Sequence, residues 1–237
     1  MKKITTLYQD PSPYLNKIIK KDYFKEINSF IKNKKINSIL DIGCASGAFA
    51  YHLNKNIQYL GLDISNPLLK MARKINKKNK HYKFKNLNLF DCNNKNFKKL
   101  AKKNFKGNFD LITLLGTLTS FSNANSVIKR LLSLNPKFLI LHSPLNEKTN
   151  SSVKFYYKNK KKIIKGQLHI ISKQYINQIL GSKYSVKFKK YKLKTSLKKN
   201  DKNLLRNYHI NFNKNKNLTT NDIGVLYHEY LVYIKYK

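Results

Sequence analysis

The first two thirds of the chain alternate between short apolar runs and segments with helical spacing of apolar residues. The apolar runs predict buried strands at 38–42, 58–63, 109–115 and 138–142, and an apolar–polar alternation predicts another at 82–87. Helical spacing predicts helices near 22–33, 47–53, 67–75, 97–103 and 124–134. Strands and helices in this alternating order predict an α/β fold, in which a parallel sheet carries helices on both faces.

The last third of the chain has a different pattern. Ser172 is placed to cap a helix that Gly181 ends, and strands are predicted at 184–193 and 227–236. The stretch 196–222 is polar and rich in Asn and Lys, which predicts a loop with a short hairpin or helix. We therefore predict one domain with an N-terminal arm and helix (1–35), a core (36–145) and a C-terminal part (146–237) that holds an insertion at about 196–222.

The net charge changes this picture less than its size suggests. The 237 residues carry a formal charge of +38, which attracts anionic partners, nucleic acids among them. Only three of the 49 basic residues are arginine, the residue favoured for bidentate phosphate contacts, and the lysines are spread through the whole sequence. We interpret the charge mainly as a solvated effect of composition, so a nucleic-acid partner is the less favoured alternative.

Further features narrow the class of protein. No apolar run approaches the roughly 18 residues of a membrane span, and the N-terminal residues lack the apolar core of a signal peptide. Cys44 and Cys92 form neither a metal-binding nor a disulfide pattern. These features predict a cytoplasmic protein without a metal site. The sequence does not indicate an oligomeric state.

A turn with two glycines follows the first predicted strand. Asp41 lies near the end of that strand, Gly43 and Gly47 follow it, and the second strand ends in Asp63, 22 residues after Asp41. This is the layout of a nucleotide-binding βαβ unit, in which glycines allow a sharp turn close to the ligand and the second carboxylate can hold a ribose.

A dinucleotide is one candidate ligand for such a unit. Its usual fingerprint is G-x-G-x-x-G, whereas the order here is D-x-G-x-x-x-G, with Ala45 where a middle glycine would lie. Asp41 would also repel a pyrophosphate, but it suits a ligand with a cationic amino-acid end. S-adenosylmethionine has such an end and carries no phosphate, so the motif favours this methyl donor.

With these residues, the sequence resembles the class I S-adenosylmethionine-dependent methyltransferases. Four elements match the family in order, at 40–47, 60–65, 88–91 and 109–112, within a resemblance that covers 38–145. It implies a Rossmann-like, doubly wound, mostly parallel seven-stranded sheet with helices on both faces and an antiparallel last strand. It also implies methyltransferase activity, with S-adenosylmethionine as the cofactor.

The resemblance also implies a role for each matched residue. In the nucleoside part, Asp63 would bind the ribose hydroxyls, Ile64 would pack on the adenine, and Asn88 and Leu89 would meet the adenine edge. The methionine part and the sulfonium would lie against Asp41, Gly43, Cys44, Ala45, Gly47, Leu115 and Gly116. The structural alternatives are a turn that needs its glycines for itself, a helix cap at Asp63 and a packing role for Cys44.

The acceptor is predicted partly by exclusion. The fourth strand ends in Leu115-Gly116-Thr117-Leu118, without the Asn/Asp-Pro-Pro-Tyr-like motif of enzymes that methylate exocyclic amines. Segments 109–118, 131–134, 170–176 and 228–234 are loosely similar to bacterial methyltransferases of surface-polysaccharide gene clusters, which implies a small acceptor such as a sugar hydroxyl. A general base would help an alcohol acceptor. His142 is a weak candidate for that base, and a structural histidine is the alternative.

Two other functions stay open on the sequence. The basic charge favours an RNA methyltransferase. The cofactor motif would also suit a non-catalytic protein that binds S-adenosylmethionine.

Overall fold

The computed structural model describes residues 18, 21–53, 56–89, 99, 103, 109–159, 162–191, 207–213, 216–221 and 226–237. The helices are α1 (Asp22–Asn33), α2 (Ala48–Tyr51), α3 (Asn66–Ile75), α4 (Ala124–Leu132) and α5 (Lys173–Leu180), with 3-10 turns at Leu118–Ser120 and Gly181–Lys183. The strands are β1 (Ser38–Ile42), β2 (Gln58–Asp63), β3 (Tyr82–Asn86), β4 (Leu111–Leu115), β5 (Phe138–Leu145), β6 (Ser151–Asn159), β7 (Lys162–Ile170), β8 (Tyr184–Tyr191), β9 (Asn207–Asn213), β10 (Lys216–Asn221) and β11 (Leu226–Tyr236).

Seven of these strands form the central sheet, in the order β3-β2-β1-β4-β5-β11-β8. Strands β1 to β5 pair in parallel, and β11 runs antiparallel to both β5 and β8. This confirms the mostly parallel seven-stranded sheet with an antiparallel last strand. The chain order reverses at β1, which pairs with β2 on one side and with β4 on the other. In open α/β sheets, the carboxyl ends of the strands at such a reversal form a ligand-binding crevice.

Both faces of the sheet are buried under helices, as the apolar runs predict. Leu40 of β1 belongs to a core that includes residues of α4 and α5, whereas its neighbour Ile39 belongs to a second core with residues of α1, α2 and α3. Successive strand residues point to opposite faces, so one continuous apolar run supplies both cores.

Two hairpins add to these seven strands in the last third of the chain, one as a separate sheet and one as an extension of the central sheet. β6 pairs with β7 along its full length, and the sequence pattern predicted no strand at 151–170. β9 and β10 form a second hairpin within the predicted insertion, and β10 continues the sheet from the start of β11. Residues 192–206 lie outside the described part of the chain. The domain boundaries therefore stay a prediction.

Several elements differ from their predicted bounds. β5 extends three residues beyond His142, because β11 pairs with it as far as Leu145. The helix predicted at 47–53 is a single turn, and α3 begins at Asn66 with Ser65 as its N-cap. The arm at 1–17, most of the helix predicted at 97–103 and Cys92 lie outside the described residues. Within the described ranges, no helix is both long and apolar enough to cross a membrane.

Candidate active site

The turn after β1 folds back onto β2. The backbone N–H groups of Gly43 and Cys44 both donate to the carbonyl oxygen of Leu62, at 2.7 and 3.0 Å. Gly43, Ala45 and Gly47 have φ angles of 71°, 47° and 72°, in the left-handed region. Glycine adopts this conformation without strain, so the two glycines are the residues that make the turn accessible to this chain.

Packing within the protein also requires both glycines. A Cβ atom on Gly43 would lie 2.5 Å from Oγ1 of Thr117, and one on Gly47 would lie 2.9 Å from both Cβ of Ala72 and Nδ2 of Asn76. The close approaches are therefore to protein side chains, which favours the alternative of a turn that needs its glycines for itself. Backbone contacts between this turn and a ligand are compatible with that packing.

Asp63 connects the turn to the start of α3. Its Oδ2 accepts the N–H of Ala45 and its Oδ1 accepts the N–H of Ser65, each at 2.8 Å. A carboxylate oxygen can accept more than one hydrogen bond, so both oxygens keep acceptor capacity. Asp63 is half-buried and lies at the carboxyl end of β2, next to the strand reversal.

Asn86, which the sequence analysis did not single out, holds the residue after Asp63. Its Nδ2 donates to the carbonyl oxygens of Ile64 and Asp63, at 2.8 and 3.2 Å. Ile64 is 58% exposed and is, with Tyr51 and Tyr236, one of the few large apolar residues in the described part of the chain that are exposed. An exposed apolar side chain fixed beside a carboxylate is suited to the face of a planar ring.

Asp41 lies inside the core, which differs from its predicted position beside a ligand's amino group. It is 2% exposed, and its two oxygens accept the Tyr59 hydroxyl at 2.5 Å and the Thr113 hydroxyl at 2.7 Å. Burial raises the pKa of Asp41 to about 6, although both hydroxyl bonds act in the opposite direction. The described contacts of this carboxylate are thus with the protein itself.

The side chains of two further predicted cofactor residues are buried, and a third residue is half-buried. The side chains of Cys44 and Leu89 are buried and belong to the two cores, so only their backbones could face a ligand. Burial also raises the pKa of the Cys44 thiol well above its usual value, which favours a packing role for this side chain. Asn88 is half-buried at the end of the chain segment that follows β3.

Gly116 marks an open position at the carboxyl end of β4. Its φ is 80°, its N–H donates to the carbonyl oxygen of His142 at 2.8 Å, and a Cβ atom placed on it would meet nothing within 4 Å. This contrasts with Gly43 and Gly47, where a Cβ would meet protein atoms. Leu115, directly before it, is half-buried. The space beside Gly116 is therefore available to a ligand.

His142 lies on β5 beside this position, but its ring is enclosed. It is 6% exposed and stacks on the ring of Tyr23 from α1, with 4.0 Å between the ring centroids. Its Nε2 lies 3.4 Å from Oε2 of Glu229 on β11, and neither ring nitrogen makes a hydrogen bond to a described residue. Burial lowers the pKa of His142 to about 3 and raises that of Glu229 to about 7.

The structure thus brings together most of the predicted residues along one edge of the sheet. Asp63 at the end of β2, the turn after β1 and Gly116 after β4 lie on three neighbouring strands. Sequence reasoning missed Tyr59 and Thr113, whose hydroxyls donate hydrogen bonds to Asp41. It also missed Asn86, whose side-chain amide donates to the carbonyl oxygen of Ile64. Thr113, a polar residue in the otherwise apolar β4, was the one feature of the sequence that could have indicated a buried polar contact. In the described part of the chain, no group of three or more His, Cys, Asp or Glu side chains is placed to hold a metal ion.

Comparisons with known proteins agree with this fold. The described fold resembles the N-terminal domain of EvdMO1 with SAH bound, at 11% identity and a TM-score of 0.57, over 92% of this chain and 82% of that one. It also resembles magnesium protoporphyrin IX methyltransferase (ChlM) from Synechocystis PCC 6803 with bound SAM, at 15% identity and a TM-score of 0.52, over 90% and 77% of the two chains. At these identities, the likeness shows the fold alone.

A sequence relative and a family profile add to the comparison of folds. A tRNA (guanine-N(7)-)-methyltransferase of Prochlorococcus marinus subsp. pastoris is 36% identical over 88 residues, which are 34% of this chain and 42% of the relative. The chain thus spans less than half the length of that relative. The family described as "Methyltransferase domain" matches residues 33–208, from the end of α1 into β9. The chain therefore belongs to this methyltransferase family, and the predicted resemblance is confirmed.

Proposed function

We propose that the protein transfers a methyl group from S-adenosylmethionine to a small, uncharged acceptor, such as a sugar hydroxyl. The observation that carries the cofactor assignment is the contrast among the glycines. Gly43 and Gly47 are packed against protein atoms, whereas Gly116, on the neighbouring strand end, faces open space. A ligand that approaches the backbone there would explain why a residue without a side chain, with a φ of 80°, follows the end of β4.

The residues along this edge fit the chemistry of the cofactor. Asp63 has spare acceptor capacity for two ribose hydroxyls, and the exposed Ile64 offers an apolar surface to the adenine. Asn88 and the backbone of Leu89 follow β3 on the same edge, where the adenine would end. Asp41 is assigned a structural role here, because its oxygens are bonded inside the core.

When bound, S-adenosylmethionine supplies a methyl group on a positively charged sulfur, which a nucleophile can displace. The chain contributes a preorganised surface, since the turn is fixed by Leu62 and Asp63 and the position beside Gly116 is kept open. The enclosed ring of His142 favours the structural alternative for this residue. We therefore attribute most of the rate enhancement to positioning, an effect that can lower a barrier by about 7–11 kcal/mol.

Two measurements test this function in sequence. Isothermal titration calorimetry with S-adenosylmethionine should give a Kd well below about 1 mM, and an affinity weaker than this limit would contradict the assignment. Incubation of the protein with methyl-labelled cofactor and cell-extract fractions should then place the label in a fraction of small neutral molecules. Tight cofactor binding without transfer to any fraction would instead support a non-catalytic binding protein.

An RNA acceptor is the second candidate, because the chain has a charge of +38 and part of it is similar to a tRNA methyltransferase. This function predicts that RNA copurifies with the protein and that its affinity falls steeply with salt concentration. Label recovered in the RNA fraction, with a salt slope that corresponds to several phosphate contacts, would favour RNA over a small acceptor.

A further inference from the structure

A cavity lies at the same end of the sheet as the proposed cofactor site. It has a volume of about 480 Å³, within the range of about 300–1,000 Å³ that is usual for small-molecule sites. Its walls come from the segment after the 3-10 turn Leu118–Ser120, from the start of α4, from the β6–β7 hairpin and from α5. Ser122 in its wall follows Gly116 by only six residues, and β7 packs against the intervening 3-10 turn.

Among the residues that the structure describes, the lining of this cavity is polar and carries no charged side chain. Eight of its ten lining residues are Ser, Asn, His or Tyr, and none is Lys, Arg, Asp or Glu. Charged residues make up 25% of the chain, so ten average residues would include about two or three. A phosphate-bearing ligand needs cations or clustered N–H donors. The described lining thus offers no cationic side chain to a phosphate, in a protein whose lysines are otherwise abundant.

One polar atom of a lining residue lacks a hydrogen-bond partner among the described residues. Oδ1 of Asn125, at the start of α4, is buried and has no hydrogen-bond partner in the described part of the structure. A buried acceptor without a partner costs about 1–3 kcal/mol, so a ligand donor at this position would recover that loss. Hydroxyl groups donate hydrogen bonds, whereas phosphate dianions and carboxylates at neutral pH only accept them.

The opposite wall is fixed in place and adds complementary groups. Oδ1 of Asn150 accepts the N–H of Ser172 at 2.7 Å, and Oγ of Ser172 accepts the N–H of Tyr175 at 3.0 Å. These bonds set Asn150 and the half-buried Tyr175 on the cavity wall, next to His169 of β7. Hydroxyl, amide and imidazole groups can each donate and accept, as sugar hydroxyls do, and an aromatic face attracts the polarised C–H groups of a sugar ring.

We propose that this cavity binds the acceptor as an uncharged, hydroxyl-rich group, such as a pyranose ring, with Asn125 accepting one of its hydroxyls. The proposal rests on the proposed methyl transfer, because the cavity becomes an acceptor site only beside a bound methyl donor. It assigns specificity to Ser122, Asn125, Asn150, His169 and Tyr175, which no cofactor motif includes.

Ligand-observed NMR with a panel of methyl α-glycopyranosides, in the presence of saturating S-adenosylhomocysteine, tests the proposal directly. At least one neutral glycoside should bind the wild-type protein. Asn125→Leu, which removes the acceptor oxygen, should weaken its binding at least tenfold, since about 1.4 kcal/mol corresponds to a factor of ten. Asn125→Asp keeps an acceptor oxygen and should change binding by less than about threefold.

Two controls make the outcomes distinct. Asn177→Leu changes the exposed face of α5 outside the cavity and should leave glycoside binding unchanged. Glucose 1-phosphate should bind no more tightly than the neutral glycosides. The proposal is overturned if no glycoside binds, if Asn125→Leu and Asn177→Leu behave alike, or if the phosphate binds better. Calorimetry with S-adenosylhomocysteine on the same samples shows separately whether the proposed cofactor site holds.

Discussion

Replacing Asp63 with asparagine tests the proposed cofactor site most sharply. The carboxylate accepts backbone N–H groups from Ala45 and Ser65, at 2.8 Å each. An amide keeps the shape but accepts only one of these bonds, and it places its own donor against the other N–H. Because Asp63 is half-buried, we expect Asp63→Asn to lower the free energy of unfolding by about 1–2 kcal/mol.

The same substitution should weaken cofactor binding more than it weakens the fold. The proposed ribose contacts use the remaining acceptor capacity of the two carboxylate oxygens. A hydrogen bond to a charged group contributes about 1.5–3 kcal/mol, so losing one should raise the Kd of S-adenosylhomocysteine roughly 10- to 150-fold. Calorimetry gives this Kd, and urea unfolding gives the change in stability.

Asp110 provides a matched control at the opposite end of the sheet. Its Oδ2 accepts the backbone N–H groups of Asn37 and Ser38, at 2.8 and 3.1 Å, before the start of β4. Asp110→Asn should therefore cost at least as much stability as Asp63→Asn, yet change the Kd by less than threefold. If both variants shift the Kd alike, or if Asp63→Asn leaves it within threefold of wild type, the ribose assignment is wrong.

A deoxy analogue separates the ribose contact from an indirect effect through the turn. Removing one ribose hydroxyl from S-adenosylhomocysteine should weaken its binding to the wild-type protein but have a smaller effect on the Asp63→Asn protein. Two groups that contact each other show such non-additivity, often by 0.5–3 kcal/mol, whereas independent groups do not. Additive losses would show that Asp63 acts only by holding the turn.

Three further predictions concern the buried groups and the glycines. Burial raises the pKa of Asp41 from 3.8 to about 6, so the free energy of unfolding should fall as the pH rises from about 4 to 6. Relative to wild type, the Asp41→Asn protein should therefore become more stable by about 3 kcal/mol between about pH 4 and 7.5, and a pH-independent difference in urea unfolding would contradict this. Gly47→Ala should lower the free energy of unfolding by about 2–4 kcal/mol, through overpacking and backbone strain. Gly116→Ala should cost only the strain, about 1–2 kcal/mol, but should weaken cofactor binding at least tenfold. Equal losses of stability with unchanged affinity would refute the open position at Gly116. His142→Gln should cost about 1–3 kcal/mol, because it removes the buried ring that stacks on Tyr23, while methyl transfer to the labelled acceptor changes little. A loss of more than about 100-fold in kcat with an intact fold would establish the base role instead.

Local patterns in the sequence were enough for much of the fold. The observed bounds of α1, β1 and β2 coincide with the predicted ones, because a helix period or a bounded apolar run is a property of consecutive residues. Ser172 also caps α5 as its position predicted, since a cap is formed within a few residues of the chain. The β6–β7 hairpin was missed, and β5 was predicted too short, because strand pairing depends on a partner that is distant in sequence.

The cofactor motif was predicted as a set of positions, but the contacts of each position were not. Asp41 and Asp63 both follow apolar runs and look equivalent along the chain. Only the fold places two hydroxyls against Asp41 inside the core and leaves Asp63 at the open edge. In the same way, only the fold shows that Gly43 approaches Thr117 while Gly116 faces open space.

The sequence by itself thus determined the order of strands and helices as far as β5, the turn between β1 and α2, and the resemblance to a methyltransferase, since these depend on residues that are close along the chain. The tertiary structure decided which groups are buried or open, and it assembled the polar cavity from segments as distant as Ser122 and Tyr175. Burial and the pairing of polar groups depend on neighbours from other segments, and these neighbours exist only once the sheet has formed.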